Sequence, residues 1–197
     1  MIGNRWWVVL VLVAVASPLC ALTQPVKTGG GLVSGVAGKD PSILAFKGIP
    51  FAAPPVGNLR WRAPAPPAPW QGVRRAGEFS ASCMQNIVNE QQPWTYEFMT
   101  HNEISEDCLY LNVWTGAKSA SEKRPVFVYI YGGAFTSGSA AVPLYDGEGL
   151  AKKGLVVVVM NDRVGIMGFF VHPESDTPRG AGGLMSWAAS KAVGPWV

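Results

Sequence analysis

The chain has 197 residues, of which 48% are hydrophobic and 15% are charged. This composition can fill a packed core and excludes an intrinsically disordered protein. The formal net charge is only +3, and the Lys and Arg residues form no long basic run. The sequence therefore does not indicate a nucleic-acid-binding protein.

The first 21 residues are typical of a secretory signal peptide. Arg5 precedes the apolar run Trp6–Ala16, which is shorter than the roughly 20 apolar residues that span a bilayer. Ser17 and Pro18 interrupt this run, and a cleavage site is expected after Ala21. A buried helix or an uncleaved anchor is the alternative. We predict a secreted or periplasmic protein with no stable membrane span after cleavage.

Two cysteines, Cys83 and Cys108, remain after removal of residues 1–21. An even number of cysteines in an exported chain predicts a disulfide, and two unpaired buried thiols are the alternative. The loop between them is polar but carries apolar side chains that could line a binding pocket or could pin the loop to the protein: Trp94, Tyr96, Phe98 and Met99.

Short β segments are predicted in the first third of the chain. Val26–Val36 combines apolar pieces with glycines and predicts a small glycine-rich β hairpin. Ile43–Phe46 predicts a short strand. The proline-rich segment 47–57 is expected to be ordered, because flexible linkers seldom carry apolar anchors such as Ile49, Phe51 and Val56. Residues 64–70 predict an extended chain held over the core by tryptophans.

Longer strands follow, with one helix between the last two. Glu106–Trp114 shows partial alternation, whereas Val126–Tyr131 and Leu155–Met160 are continuous apolar runs that predict strands buried on both faces. Between these two runs, a short helix is expected to begin near Asp146 and to end at Gly154. A strand, a helical crossover and a second apolar strand indicate a parallel pair, and therefore an α/β fold.

Gly132, Gly133 and Ala134 end the first of these apolar runs abruptly. Glycines leave neighbouring peptide N–H groups uncovered. Adjacent bare N–H groups at the end of a core strand can bind a developing negative charge, as in an oxyanion hole. An ordinary glycine turn is the alternative. The sequence shows no glycine-rich phosphate loop and no cluster of metal ligands, so no cofactor or metal is predicted.

In chain order, these segments resemble the type B carboxylesterase family, the cholinesterase-like branch of the α/β-hydrolases. Phe46–Gly57 is similar to the family pattern F-x-G-I-P-[YF]-A-x-P-P-x-G, and Glu106–Val113 to E-D-C-L-x-L-N-[VI]. Tyr131–Phe135 resembles the oxyanion turn, and Asn161–Phe170 resembles N-Y-R-[VL]-G-x-x-G-F, with Asp162 in place of the tyrosine. The resemblance covers about residues 26–173 and implies the N-terminal portion of an α/β-hydrolase fold, with an incomplete central sheet after the glycine-rich β hairpin.

The resemblance implies roles for individual residues. Gly133 and Ala134 would donate two backbone N–H groups to the tetrahedral intermediate of a serine ester hydrolase whose substrate is a small carboxylic ester. Cys83 and Cys108 would form the family disulfide. Arg60 and Glu106 would form an ion pair that is structural and not catalytic. A second arginine, Arg163, would normally pair with an aspartate after a Gly-Leu-Leu segment.

The sequence departs from the family in its catalytic residues. No serine has glycine at both −2 and +2, so the G-x-S-x-G nucleophile elbow is absent. His101 and His172 do not match the catalytic histidine, and Ser186 stands where the aspartate partner of Arg163 would be. We therefore expect a signal peptide at 1–21, the N-terminal part of a carboxylesterase domain at 22–178, and a divergent tail at 179–197. As a fragment the chain is predicted to be inactive; a non-catalytic binding or adhesion module is the alternative.

Overall fold

The computed structural model describes residues 24–87, 93–119 and 121–170. These residues form a mixed β structure with few helices. The β strands, in chain order, are β1 Val26–Lys27, β2 Leu32–Ser34, β3 Val36–Ala37, β4 Leu44–Pro50, β5 Val73–Arg75, β6 Ser82–Cys83, β7 Ile104–Ser105, β8 Tyr110–Thr115, β9 Val126–Tyr129 and β10 Val156–Met160. The α-helices are α1 Glu148–Ala151 and α2 Gly165–Phe169, and 3-10 turns occupy Gly57–Leu59, Tyr96–Phe98 and Pro143–Tyr145.

The main sheet has five strands in the order β3-β4-β8-β10-β9. β10 is antiparallel to β8 and parallel to β9, which confirms the predicted parallel pair. β4 pairs with β8 through a register shift between Phe46 and Ile49. Gly48 lies in this shift with φ of 68°, and its N–H donates to Asn112 Oδ1. Because β9 and β10 are parallel neighbours, their carboxyl ends lie next to each other at one edge of the sheet.

The predicted glycine-rich hairpin is confirmed by the antiparallel pairing of β1 and β2. β5 joins this hairpin, parallel to β2, to make a second sheet of three strands. Trp70 holds the preceding extended segment in place: its Nε1–H donates to the carbonyl oxygen of Leu32 at 2.8 Å, and the half-buried ring packs against the core. A Cβ at Gly30 would lie 2.3 Å from that ring, so the close approach requires glycine.

β10 contributes to both faces of the main sheet. Val156, Val158 and Met160 belong to one buried cluster, and the alternate residues Val157 and Val159 belong to the other. All five residues are at most 5% exposed. This alternation confirms that the apolar run 155–160 is a strand buried on both faces.

The same prediction was wrong for the run Val126–Tyr131. β9 ends at Tyr129, and Phe127 and Val128 are 41% and 42% exposed, while Ile130 after the strand is 62% exposed. The physical reason is position: within the described residues β9 is an edge strand with β10 as its neighbour. An apolar composition shows that a segment favours a sheet, but it does not show whether a second strand or a helix covers it.

The segment 47–57 takes up a defined path, as predicted. Phe51 N–H donates to the Leu109 carbonyl oxygen and Ala53 N–H to that of Ala65. Of the three expected anchors, Ile49 and Phe51 are buried, but Val56 is 46% exposed and does not serve as one.

Within the described ranges, no helix is long and apolar enough to span a membrane.

The crossover between β9 and β10 contains the expected short helix. Asp146 Oδ1 accepts a hydrogen bond from the Glu148 N–H at 2.9 Å, at the start of α1. Lys153 and Gly154 donate their N–H groups to carbonyl oxygens of the helix, and Gly154 has a φ of 91° that ends it. The prediction from Asp146 and Gly154 is therefore confirmed.

Candidate active site

The turn after β9 has an unusual backbone. Tyr131 is buried, and the chain then passes through Gly133, Ala134 and Phe135 with φ values of 129°, 51° and 62°. Positive φ is uncommon outside glycine, and each non-glycine residue held there costs on the order of 1–3 kcal/mol. Two consecutive residues of this kind indicate a turn that is held in place by its surroundings.

Hydrogen bonds within the turn fix the direction of its peptide groups. The carbonyl oxygen of Gly133 accepts from the N–H groups of Thr136 and Ser137, at 3.0 and 3.3 Å, and from Thr136 Oγ1 at 2.9 Å. A trans peptide is planar, so its N–H points away from its carbonyl oxygen. The N–H of Ala134 therefore faces away from the interior of the turn.

Both amides proposed as oxyanion donors are accessible. Gly133 and Ala134 are exposed. Among the hydrogen bonds between described residues, none is donated by either N–H group. The turn therefore does not use these two donors for its own stability.

The segment just beyond the turn is fixed to the buried sheet. Ala140 donates its N–H to Asn161 Oδ1 at 2.8 Å and accepts a hydrogen bond from Asn112 Nδ2 at 3.1 Å. Asn161 Nδ2 also donates to the carbonyl oxygens of Ala81 and Cys108, each at 3.0 Å. Both asparagines fall within family motifs of the sequence, but neither is assigned a role there, because their partners lie 21 to 80 residues away in the chain.

Tyr131 connects the ends of β9 and β10. Its hydroxyl donates to the Asp162 carbonyl oxygen and accepts from the Asp162 N–H, at 3.2 and 3.0 Å. Burial, together with the nearby Asp162 carboxylate, raises the pKa of Tyr131 well above its usual value. Burial also raises the pKa of Asp162. Tyr131 therefore stays neutral and serves as a hydrogen-bonded support for the turn.

A cavity of about 350 Å³ lies beside the turn. One wall is the turn itself, from Gly132 to Gly138, together with Tyr145. The other wall comes from the loop between the two cysteines and includes Trp94, Phe98 and Met99. These apolar side chains therefore line a pocket, whereas Tyr96 stacks on His101 with ring centroids 3.6 Å apart. The described lining residues carry no charged side chain.

A disulfide closes the pocket loop. Cys83 and Cys108 are joined as predicted, and both are 1% exposed. Beside them, Arg60 Nε and Nη2 donate to the two carboxylate oxygens of Glu106, each at 2.7 Å. The hydrogen bonds from Arg60 lower the pKa of Glu106, and those same bonds raise the pKa of Arg60. The base of the loop is therefore fixed by one covalent bond and one bidentate ion pair.

The remaining candidate residues do not complete a catalytic site. His101 is exposed, and its Nε2 lies 2.7 Å from the carbonyl oxygen of Tyr96. Arg163 is buried and donates Nη2 to the carbonyl oxygen of Arg62 at 2.9 Å. The signal peptide, His172, Ser186 and the tail 179–197 lie outside the described residues, so the statements made about them stay predictions. No group of three metal-ligating side chains occurs in the described part of the chain.

A larger groove, of about 690 Å³, lies elsewhere. It is lined by side chains of both charges, such as Lys47, Arg74, Glu78 and Asp107, and contains no residue of the turn. Its charged lining distinguishes this groove from the uncharged pocket beside the turn.

Comparison with known proteins supports the resemblance. A model described as "Carboxylesterase family" matches residues 23–187. The chain is 44% identical over 190 residues to Fumonisin B1 esterase of Sphingopyxis macrogoltabida, covering 93% of this chain and 34% of that protein. It is 44% identical over 170 residues to acetylcholinesterase of Gallus gallus, covering 80% of this chain and 22% of that protein.

Cholinesterase of Mus musculus is 39% identical over 150 residues, covering 73% of this chain and 24% of that protein. The chain thus spans about a third or less of the length of these relatives. The match to the family extends over more than half of the chain and includes the turn, the disulfide and the pocket loop. On these grounds, the chain belongs to the carboxylesterase family.

Proposed function

We propose that this chain is the N-terminal part of an α/β-hydrolase fold and carries the oxyanion-binding turn of an exported carboxylic ester hydrolase. The observation that supports this best is the pair of accessible amides, Gly133 and Ala134, at the edge of an uncharged, partly aromatic pocket. Family membership supports ester hydrolysis as the reaction class. The turn is the part of the catalytic machinery that this chain would supply.

The chemistry follows from the position of the two donors. In a complete enzyme, a serine oxygen attacks the ester carbonyl carbon, and the carbonyl π electrons move to oxygen as a negative charge. Gly133 and Ala134 would hydrogen-bond that oxygen, and a third donor would follow the serine. A general base that took the serine proton during the attack passes it to the alcohol as the ester C–O bond breaks, and water then hydrolyses the acyl-enzyme to the carboxylic acid and free serine. One such donor contributes about 2.7–4 kcal/mol to the transition state.

The pocket favours a small, uncharged ester group. Its volume of about 350 Å³ is near the lower limit for small-molecule sites. Trp94 and Phe98, with ring centroids 5.3 Å apart, offer an apolar surface beside the amides. Away from the two amides, a charged group in this pocket would lose its hydration without gaining an ion pair from the described lining residues.

A chimera tests the proposal directly. Residues 24–170 would replace the matching segment of the Sphingopyxis relative, which carries its own downstream sequence, and hydrolysis of p-nitrophenyl butyrate would be measured. We expect turnover that an organophosphate blocks. A folded chimera without turnover would contradict the proposal.

Gly133→Ala in the chimera tests the turn itself. A Cβ at Gly133 would lie 1.9 Å from the Ser137 carbonyl oxygen, so the turn must move. We expect kcat to fall roughly 10²- to 10³-fold, the effect of losing one oxyanion donor. Gly149→Ala is the matched control, because a Cβ there meets no atom within 4 Å.

The 197-residue chain is expected to be inactive by itself. It contains no G-x-S-x-G segment, and an oxyanion site has no charge to stabilise until a nucleophile attacks. Serine-type turnover of p-nitrophenyl butyrate by the purified chain, blocked by an organophosphate, would contradict this expectation. The second candidate is a non-catalytic esterase-like binding module, which an inactive, well-folded chimera would support.

A further inference from the structure

We propose that Gln85 is a positioning residue, which holds the turn Gly132–Gly138 so that the N–H groups of Gly133 and Ala134 face the pocket. This inference rests on the proposed function and assigns a role to a residue outside the turn. Gln85 lies in the pocket loop, two residues after Cys83 of the disulfide.

Gln85 binds one peptide residue of the turn with both ends of its side-chain amide. Its Oε1 accepts from the Gly138 N–H at 2.8 Å, and its Nε2 donates to the Gly138 carbonyl oxygen, also at 2.8 Å. The second Nε2 hydrogen donates to the carbonyl oxygen of Cys83 at 3.0 Å. The amide thus pairs with Gly138 as a neighbouring strand would, although the two residues are 53 positions apart.

Gly138 in turn lies directly against the start of the turn. Its φ is 132°, and a Cβ there would lie 2.4 Å from the Tyr131 ring and 2.9 Å from the carbonyl oxygen of Gly132. That carbonyl belongs to the peptide group whose N–H is on Gly133. Since the peptide is planar, a shift of Gly138 that lets the Gly132 carbonyl rotate also rotates the Gly133 N–H.

The strain in the turn explains why an external support is needed. Ala134 and Phe135 both have positive φ, and such residues persist only where the surroundings hold them. The two asparagines secure Ala140, beyond the end of the turn. Gln85 secures Gly138 inside it, from the pocket side, and so links the geometry of the donors to the disulfide-closed loop.

The test uses the ¹⁵N-labelled chain and phenylphosphonate as a tetrahedral oxyanion probe. Gln85→Met keeps the side-chain length and removes both hydrogen bonds to Gly138, together with the one to Cys83. Amide hydrogen exchange at Gly138 should then rise roughly 5- to 100-fold, the effect of losing one or two net hydrogen bonds. The Gly133 and Ala134 resonances should move in the absence of probe. The affinity for phenylphosphonate, measured from these two resonances, should fall at least about fivefold.

Gln85→Glu separates positioning from simple packing. Ionised glutamate still accepts from the Gly138 N–H but cannot donate to its carbonyl oxygen, whereas the protonated acid can do both. As the pH falls through the glutamate pKa, the Gly133 and Ala134 resonances should move back toward their wild-type positions. If Gln85→Met does not fold, Gln85→Glu alone tests whether Gln85 positions the turn. Gln71→Met and Gln71→Glu are the matched controls, since Gln71 is exposed and has no hydrogen bond to the turn.

The outcomes distinguish this inference from the proposed function. Unchanged Gly138 exchange and unchanged Gly133 and Ala134 resonances in both Gln85 variants would overturn the role of Gln85, even if wild type binds the probe at these amides. If wild type shows no response of these amides to phenylphosphonate, the proposed oxyanion site is contradicted. The positioning role then falls with it, even where the Gln85 variants alter the turn.

Discussion

β9 and β10 are neighbouring parallel strands of similar composition but very different surroundings. Val158 on β10 pairs with Val128 on β9; Val158 is fully buried and Val128 is 42% exposed. β10 has a strand on each side, whereas β9 is at the edge of the described sheet. The inner strands therefore hold the protein together, while the outer strand presents the turn that carries the candidate chemistry.

The largest difference in the loss of unfolding free energy is expected between alanine substitutions of two phenylalanines. Phe46 on β4 is fully buried and Phe127 on β9 is 41% exposed. Phe46→Ala removes a packed ring from the core and should lower the free energy of unfolding by about 3–5 kcal/mol. Phe127→Ala should cost less than about 1 kcal/mol, because that ring gains little from folding. Urea unfolding followed by circular dichroism measures both, and equal losses would contradict the contrast between inner and outer strands.

The inner part of the molecule was the part that could be predicted from the sequence. β1, β2, β10 and the helix before β10 follow from local patterns of apolar residues, glycines and a capping aspartate. The disulfide followed from the cysteine count and the family. The left-handed backbone of Ala134 and Phe135 could not be predicted, because neither residue favours it and the supports come from distant residues such as Asn161. The exposure of β9 depends on its neighbours, which its own sequence does not describe.

Removing the disulfide should cause the next largest loss of unfolding free energy. Replacing Cys83 and Cys108 together by Ala removes the link across a separation of 25 residues. The loop-entropy relation gives about 3.5 kcal/mol for a loop of this size. The prediction is that the unfolding midpoint falls accordingly and that the slope with urea rises, because the unfolded chain without the link exposes more surface. The same result should follow reduction of the wild-type protein, and the alanine variant should no longer respond to reductant.

Glu148 gives a pH-dependent test of the inner region. Its side chain is 9% exposed, and its carboxylate accepts from the N–H groups of Lys39 and Asp40, each at 2.8 Å. Burial alone would raise the pKa of Glu148, but these hydrogen bonds and the charge of Lys152 outweigh it and lower the pKa below the ordinary 4.5. The stability from this group is therefore present above pH 4.5 and is lost as the pH falls through the lower pKa of the folded state.

Glu148→Gln should accordingly lower the free energy of unfolding by about 1.5–3 kcal/mol at neutral pH, the range for hydrogen bonds to a charged group. The difference from wild type should shrink as the pH falls through the lowered pKa. Glu122→Gln is the matched control: this exposed carboxylate bonds to Arg124 and to the Lys118 N–H in the turn before β9. A larger loss of unfolding free energy in Glu122→Gln than in Glu148→Gln would contradict the expectation that the buried carboxylate contributes more to stability.

The smallest effect is expected at the ion pair of Arg60 and Glu106. Its geometry is bidentate, but the two side chains remain 37% and 25% exposed. Water and salt screen such a pair. A double-mutant cycle with Arg60→Gln and Glu106→Gln should therefore give a coupling free energy smaller than the losses of stability expected at Phe46, the disulfide and Glu148. This coupling free energy should decrease as salt is added. In the ester-hydrolysing chimera, the same pair of substitutions should leave kcat within about twofold, because neither side chain reaches the amides of the turn. A coupling free energy that is insensitive to salt, or a large loss of kcat without loss of stability, would show that the base of the pocket loop acts on the reaction and not only on the fold.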